Sequence, residues 1–293
     1  MSGLPSTEAV DPATAQIDRL DDVALARTLA EAHRGAVDAA VAQAYAIARA
    51  TTLVVEAIEC GGRVAVFGAG TSGRLAVLDA SELPPTFGLD PQVVEGIIAG
   101  GDAALRRAVE NAEDDADAGA RAADALVAHD VAIGISASGG AAFVRAALQR
   151  ARERGARTIA VANAPGSPLA ALADVAIVAD TGAEPIAGST RMRAGTAQKI
   201  VLNTISTGAM IRLGKTYRNR MVDVVATNAK LRARAERLVR ELAGDVDASA
   251  LLAAAGGSVK TAVVMARRGV DAAGAERLLR DARGRLARVI DPA

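Results

Sequence analysis

Between Val23 and Glu59 apolar residues recur at helical spacing: Leu25, Leu29 and Ala32, then Val37, Val41, Ala44 and Ile47, then Leu53, Val54 and Ile58. The spacing predicts two helices. The period then changes. "RVAVFGAG" (63–70) is a short β-branched run ending in glycine, and similar runs recur as "VVEGIIAG" (93–100), "DVAIGIS" (130–136), "RTIAVAN" (157–163) and "DVAIVAD" (174–180). Their apolar residues are nearly continuous rather than alternating, the pattern of strands buried on both faces. Helical segments at 72–82, 102–128, 141–154 and 167–172 separate most of them. Such repetition predicts an α/β fold, a five-stranded parallel sheet sandwiched by helices. Ligands of such sheets bind at the carboxyl ends of the strands. Chemistry is therefore expected on loops 68–73, 99–102, 136–140, 163–167 and 180–190.

After Thr190 the pattern is helical again, through "AGTAQKIVLNTISTGAMIRLG" and "MVDVVATNAKLRARAERLVRELAG", and Gly244 ends that stretch. Residues 245–293 read as all-helical, with helices at 247–254, 258–267 and 271–288. The expected organisation is a polar arm over 1–22, lying on the surface or on a partner subunit, a sheet domain with flanking helices over 23–236, and a small helical domain over 237–293. The Arg-rich stretch from Arg212 to Arg240 reads as a solvated helix face rather than an RNA-binding stripe.

Composition narrows the function. Lys+Arg and Asp+Glu both total 34 in 293 residues, aromatics are 2% and Trp is absent. There is no basic excess and few candidates for stacking platforms, which argues against nucleic acid and membrane surfaces as partners. The single cysteine, Cys60, excludes an intrachain disulfide and fits a reducing, cytoplasmic setting. It reads as a small buried apolar residue rather than a nucleophile. Residues 1–20 carry Glu8, Asp11 and Asp18 without an apolar segment, so no signal peptide is expected, and no apolar run is long enough to span a membrane.

The first loop, Gly68-Ala69-Gly70-Thr71-Ser72-Gly73, matches G-x-G-x-x-G between a strand and a helix. A dinucleotide site also needs an acid at the end of the second strand, and that strand ends Ala99-Gly100-Gly101. A dehydrogenase is thus poorly supported. Thr71 and Ser72 instead put two hydroxyls beside backbone N–H groups at a helix N-terminus, a site for a phosphate monoester. A second hydroxyl loop, Ser136-Ala137-Ser138-Gly139-Gly140, follows the third strand at the same edge. Either loop alone reads as an ordinary turn with Ser as helix N-cap. The pair points to one phosphate gripped from two sides.

Three long segments narrow this further. "GAGTSGRLAVLDASELPPTFG" (68–88), "AGGDAALRRAVENAEDD" (99–115) and "GSTRMRAGTAQKIVLNTISTGAMI" (188–211), followed by "NRMVDVVATN" (219–228), resemble the N-acetylmuramic acid 6-phosphate etherases, in order, from about residue 7 to the C-terminus. The glucokinase regulatory protein looks like a distant, non-enzymatic relative on the same sugar isomerase fold. The resemblance implies a lyase that converts N-acetylmuramic acid 6-phosphate to N-acetylglucosamine 6-phosphate and D-lactate, in cell-wall amino-sugar recycling and catabolism. It implies no cofactor and no metal, a small-molecule amino-sugar phosphate as ligand, and a homodimer with shared active sites.

Carried over by motif, Glu82 in "DASELPPT" is the proton donor, and Glu113 in "ENAED" takes the second catalytic role, assigned as the base. From composition alone both would pass as surface acids. Ser189, Thr190 and Arg191 are further substrate contacts, and Arg191 or Arg193 suits the lactyl carboxylate. The role of Lys199 stays open. Ten residues of straight helix between Ser72 and Glu82 would separate them by about 15 Å, so either the helix ends early, as Pro84 and Pro85 suggest, or Glu82 serves a site completed by another subunit. One departure stands out: family members usually carry Thr-Pro-Tyr where this chain has Ala141-Ala142-Phe143, which bears on substrate preference. A phosphosugar sensor without chemistry and an aldose–ketose phosphate isomerase on the same fold remain as alternatives.

Overall fold

The computed structural model describes residues 5–223 and 229–291. The last five residues of the 219–228 motif therefore lie outside the described residues. The chain divides into two compact units, one formed by Met1–Ser81 and Gln92–Ser206, the other by Glu82–Pro91 and Thr207–Ala293.

In the first unit three helices, α1 (Asp22–Ala32), α2 (Arg34–Ala42) and α3 (Ala44–Glu59), precede the sheet. The apolar spacing predicts two; His33 and Gln43 each break the helix. Then follow β1 (Val64–Gly68), α4 (Gly70–Phe87), β2 (Val94–Ile98), α5 (Ala103–Arg106), α6 (Ala116–Ala122), β3 (Val131–Ile135), α7 (Ala142–Glu153), β4 (Arg157–Ala162), β5 (Val175–Val178) and α8 (Arg193–Arg212). The five strands form one parallel sheet in the order β2-β1-β3-β4-β5. The expected α/β fold is what the chain adopts. Strands β1 and β3 are buried throughout, whereas the edge strands β2 and β5 expose Glu95 and Ala176. Helices α6 and α7 cover the face made by Ala65, Phe67, Ala132 and Ala160. Helix α3 packs on β1, β3 and β5.

The amino ends of the strands are pinned by two acids, Asp130 buried and Asp174 exposed. The Asp130 carboxylate accepts from Arg63 N at 2.7 Å and Val127 N at 2.9 Å, and Asp174 accepts from Thr158 N at 2.8 Å. The carboxyl ends are left to the loops.

Three expectations fail locally. Cys60, expected to be buried, is exposed at the cap that ends α3. The continuous helix over 102–128 is instead α5, a 3-10 turn at Ala112–Asp114, and α6. Arg107 is extended and Asn111 is left-handed at φ 60°, conformations a helix cannot include. The prolines do not end α4, which carries Pro84 and Pro85 in its last turn and stops at Phe87. There they remove only the donors that would meet the Ala80 and Ser81 carbonyls. Gly88 N then closes on Pro84 O at 2.9 Å.

In the second unit a hairpin, β6 (Thr216–Tyr217) and β7 (Arg220–Met221), precedes α9 (Ala229–Ala243), α10 (Ala248–Ala254), α11 (Val259–Arg268), α12 (Ala272–Asp281) and α13 (Leu286–Ile290). Tyr217, Val239, Val263, Leu279 and Leu286 belong to its core. The helix expected over 271–288 is two, broken where Arg283 and Gly284 take positive φ of 53° and 70°. Among the described residues no single helix is long and apolar enough to cross a membrane.

Candidate functional site

Gly68 pairs with Ile98 on one side and Ile135 on the other, so the loops that follow β1, β2 and β3 leave the sheet at one level. The first hydroxyl loop turns at Gly70, with φ 52°, straight into α4. A Cβ on Gly73 would lie 2.5 Å from Ile98 Cγ1 and 2.7 Å from Gly68 O, so only glycine lets the helix start this close to the strand. The bond from Gly73 N to Ala69 O, 3.2 Å, opens the helix. The N–H groups of Gly70, Thr71 and Ser72 therefore have no partner inside α4.

In the second loop Ser136 Oγ accepts from Gly139 N and Ser138 Oγ from Gly140 N, both at 3.1 Å. Neither serine caps α7, whose N-cap residue is Ala141 without a side-chain bond. Both keep their own O–H for a ligand. Thr190 joins this edge: its carbonyl accepts from Gly195 N at 2.9 Å, and a Cβ on Gly195 would lie 3.3 Å from both Thr190 O and Thr71 Cγ2. Ser189 is the neighbouring residue, half-buried, and Arg191 is exposed with no partner among the described residues.

Three polar residues that sequence reasoning did not single out, Gln198, Asn163 and Glu184, hold this edge in place. Ser72 Oγ donates to Gln198 Oε1 at 2.8 Å, Gln198 Nε2 to Asn163 Oδ1 at 2.8 Å, and Asn163 Nδ2 to Ala179 O at 2.9 Å. All three side chains are buried. Glu184 is fully buried, and its carboxylate accepts from Arg193 N at 2.8 Å and Ala194 N at 2.9 Å, plugging the start of α8. Arg193, offered by the sequence for the lactyl carboxylate, is already committed: its guanidinium donates to Ala32 O and Ala183 O and pairs with Asp11 at 3.0 Å. Asp11 belongs to the N-terminal arm, which lies on the loop after β5 of its own chain; Ser6 Oγ reaches Asp180 there, and Thr7 O accepts from Gly188 N. An acid in a loop and a glutamine inside a helix carry no sequence signal of such roles; only their burial reveals them.

The two glutamates sit differently. Glu113 is exposed in the 3-10 turn Ala112–Asp114, on the loop after β2. Glu82 is exposed in α4, ten residues beyond Ser72 along one unbroken helix, an axial rise of about 15 Å. Nearer the start of that helix, Asp79 accepts from Asn203 Nδ2 and Ser206 Oγ. Burial pushes its carboxyl above the usual range, against those two bonds and the charge of Lys199, which gives Lys199 a place in the electrostatics of α4.

At the end of β2 lies an open cavity of about 520 Å³ whose lining includes Ile98, Asn111, Ala112, Ala118 and Phe143. Ile98 is the residue against which Gly73 packs, so the cavity adjoins the first hydroxyl loop.

Comparison with known proteins gives three findings. The family model of the glucokinase regulatory protein N-terminal SIS domain matches residues 46–152, and that of the SIS domain matches 105–207. An N-acetylmuramic acid 6-phosphate etherase of Deinococcus radiodurans is 49% identical over 288 residues, 97% of this chain and 94% of the relative. One from Gloeobacter violaceus is 52% identical over 263 residues, 88% of this chain and 86% of the relative. Among solved structures, a phosphoheptose isomerase from Francisella tularensis aligns with a TM-score of 0.51 at 24% identity, covering 66% of this chain and 98% of that one, which shows a shared fold.

Proposed function

The chain belongs to the N-acetylmuramic acid 6-phosphate etherase family, and from that premise we infer what each group at its sheet edge does. It is a carbon–oxygen lyase that cleaves the lactyl ether of N-acetylmuramic acid 6-phosphate, giving N-acetylglucosamine 6-phosphate and D-lactate. The observation that carries this is identity near one half along almost the whole chain.

The phosphate is held by the N–H groups of Gly70, Thr71 and Ser72, which have no partner among the described residues, by the Thr71 hydroxyl, and by Ser136 and Ser138 from the second loop. Ser189, Thr190 and Arg191 contact the sugar, with the Arg191 fork on the lactyl carboxylate.

With the ring open, the aldehyde at carbon 1 acidifies the proton on carbon 2. Glu113 takes that proton, and the electron pair passes into the carbonyl. The carbon 3–oxygen bond then breaks as Glu82 gives its proton to the departing lactate oxygen. Water adds to carbon 3, surrendering a proton to Glu82, and Glu113 returns its proton to carbon 2. Base and acid each contribute about 10²–10⁴-fold.

The unbroken run of α4 between Ser72 and Glu82 supports a homodimer in which Glu82 completes a partner's site. Exposed Val23, Val37, Val41 and Tyr45 on the first three helices offer apolar surface for such a contact. With a single cysteine and balanced charge, the reading is of a cytoplasmic enzyme acting in cell-wall amino-sugar recycling.

The test is enzymatic detection of D-lactate from N-acetylmuramic acid 6-phosphate. The parent should release it, and Glu82→Ala and Glu113→Ala should each lose at least about 100-fold. Mixing the two inactive variants should restore about a quarter of parental activity, because a hybrid of a two-fold dimer keeps one intact site. Mixing that restores nothing would place both glutamates in one chain's site, and a parent that binds phosphosugar without releasing lactate would make it a sensor.

A further inference from the structure

The cavity at the end of β2 takes part in none of these steps. We propose that it receives the N-acyl group of the substrate, with Asn111 as the residue that recognises the amide. This rests on the etherase reading with Glu113 as base.

Connectivity is the first argument. Carbon 2 carries both the proton that Glu113 removes and the acylated nitrogen. A base works within hydrogen-bond reach, roughly 3 Å between heavy atoms, so the acylated nitrogen sits one bond, and the acyl carbon two bonds, from the carbon that Glu113 deprotonates. Glu113 lies in a turn whose neighbours Ala112 and Asp115 both line the cavity.

Charge is the second. The substrate has three appendages: a phosphate, a lactyl carboxylate and a neutral amide. The ionisable residues lining the cavity are Glu110 and Asp115, both acids. They repel the two anionic groups and leave the amide as the one that fits.

The polar chemistry agrees. The Asp115 carboxylate already accepts from Ala118 N at 2.8 Å. The Asn111 side chain has no partner among the described residues, and an amide presents the donor and the acceptor that another amide requires. Val109, Ala118 and Phe143 supply apolar wall for the acyl carbons. At about 520 Å³ the cavity has far more room than an acetyl group fills, so a longer acyl chain is accepted as well.

Two variants test this. Asn111→Gly keeps the left-handed backbone and removes the amide; Ala118→Leu narrows the cavity from its wall. Lactate release is followed with N-acetyl- and N-propionylmuramic acid 6-phosphate, and calorimetry compares N-acetylglucosamine 6-phosphate with glucosamine 6-phosphate. The parent should use the propionyl substrate within about threefold of the acetyl one. Asn111→Gly should raise KM roughly three- to tenfold with little change in kcat and lose the preference for the acylated product. Ala118→Leu should penalise propionyl about tenfold more than acetyl. If the parent releases lactate and both variants match it on every substrate, the acyl pocket is refuted. If the parent releases no lactate, the etherase reading falls, and the binding comparison alone decides the pocket: equal affinity of the parent for the two products overturns it, and a preference abolished in Asn111→Gly sustains it.

Discussion

Helices α4 and α8 begin beside one another at the same sheet edge and treat their first backbone donors in opposite ways. At α8 a fully buried carboxylate, Glu184, takes two N–H groups, and Arg193 is tied down by two carbonyls and Asp11. At α4 the corresponding donors have no partner among the described residues, and Gly70 is exposed. The chain supplies its own anion to one helix start and leaves open the other, the one proposed to hold the phosphate. The difference is worth energy on both sides: hydrogen bonds to a charged group contribute about 1.5–3 kcal/mol each, whereas an anion at an open helix start gains about 0.3–2 kcal/mol.

Five changes break or sharpen that contrast. Gly73→Val should have the largest effect, because its side chain would overlap Ile98 and the Gly68 carbonyl and push α4 off β1. A loss of about 3 kcal/mol in urea denaturation is expected, together with lactate release below detection. Glu184→Ala should cost about 2–4 kcal/mol by orphaning two donors at α8, and Glu184→Gln about half that. Chilled and folded, the alanine variant should still turn over substrate; equal urea midpoints for parent and variant would show that the plug is ornamental.

The double change Ser136→Ala with Ser138→Ala should raise KM by roughly 10–100-fold through two lost hydroxyls. Ser72→Ala should move KM less and stability more, because its hydroxyl is committed to Gln198. A larger KM effect from Ser72→Ala would invert the assignment. Smallest is Asp79→Asn, a control within α4 that touches neither helix start. Burial raises the folded carboxyl above its unfolded value of 3.8. Its stabilising contribution is therefore complete below that value and is lost as pH rises through the folded one. The asparagine variant should flatten this part of the melting-temperature profile on the alkaline side of 3.8.

Much of the sheet was legible because burial on both faces leaves a local trace. Each nearly continuous apolar run, such as 63–70 and 130–136, became a strand within a few residues of its expected limits. The hydroxyl loops were legible because glycine and hydroxyl residues cluster where strand gives way to helix. Glu184, Gln198 and Asn163 were not, since each is one polar residue whose partners lie far away in sequence. The hairpin at 216–221 and the break at Arg283 and Gly284 escaped because helical spacing surrounds both. Pro84 and Pro85 misled in the other direction: prolines in a last turn cost a helix little.

The chain of bonds from Ser72 to Ala179 also has a direction. A backbone carbonyl can only accept, so Asn163 must turn its amino group toward Ala179, which turns its oxygen toward Gln198, which in turn sets the Gln198 oxygen against Ser72. The polarity of a hydroxyl in the phosphate loop is thus dictated from the far edge of the sheet, three hydrogen bonds away. What Ser72 Oγ shows a ligand is lone pairs. A phosphate that has given up both protons has nothing to offer them and must settle on the backbone donors beside it; a singly protonated phosphate can bond to that oxygen as well. If the loop holds the phosphate as proposed, it distinguishes these two ionisation states without a titrating group of its own.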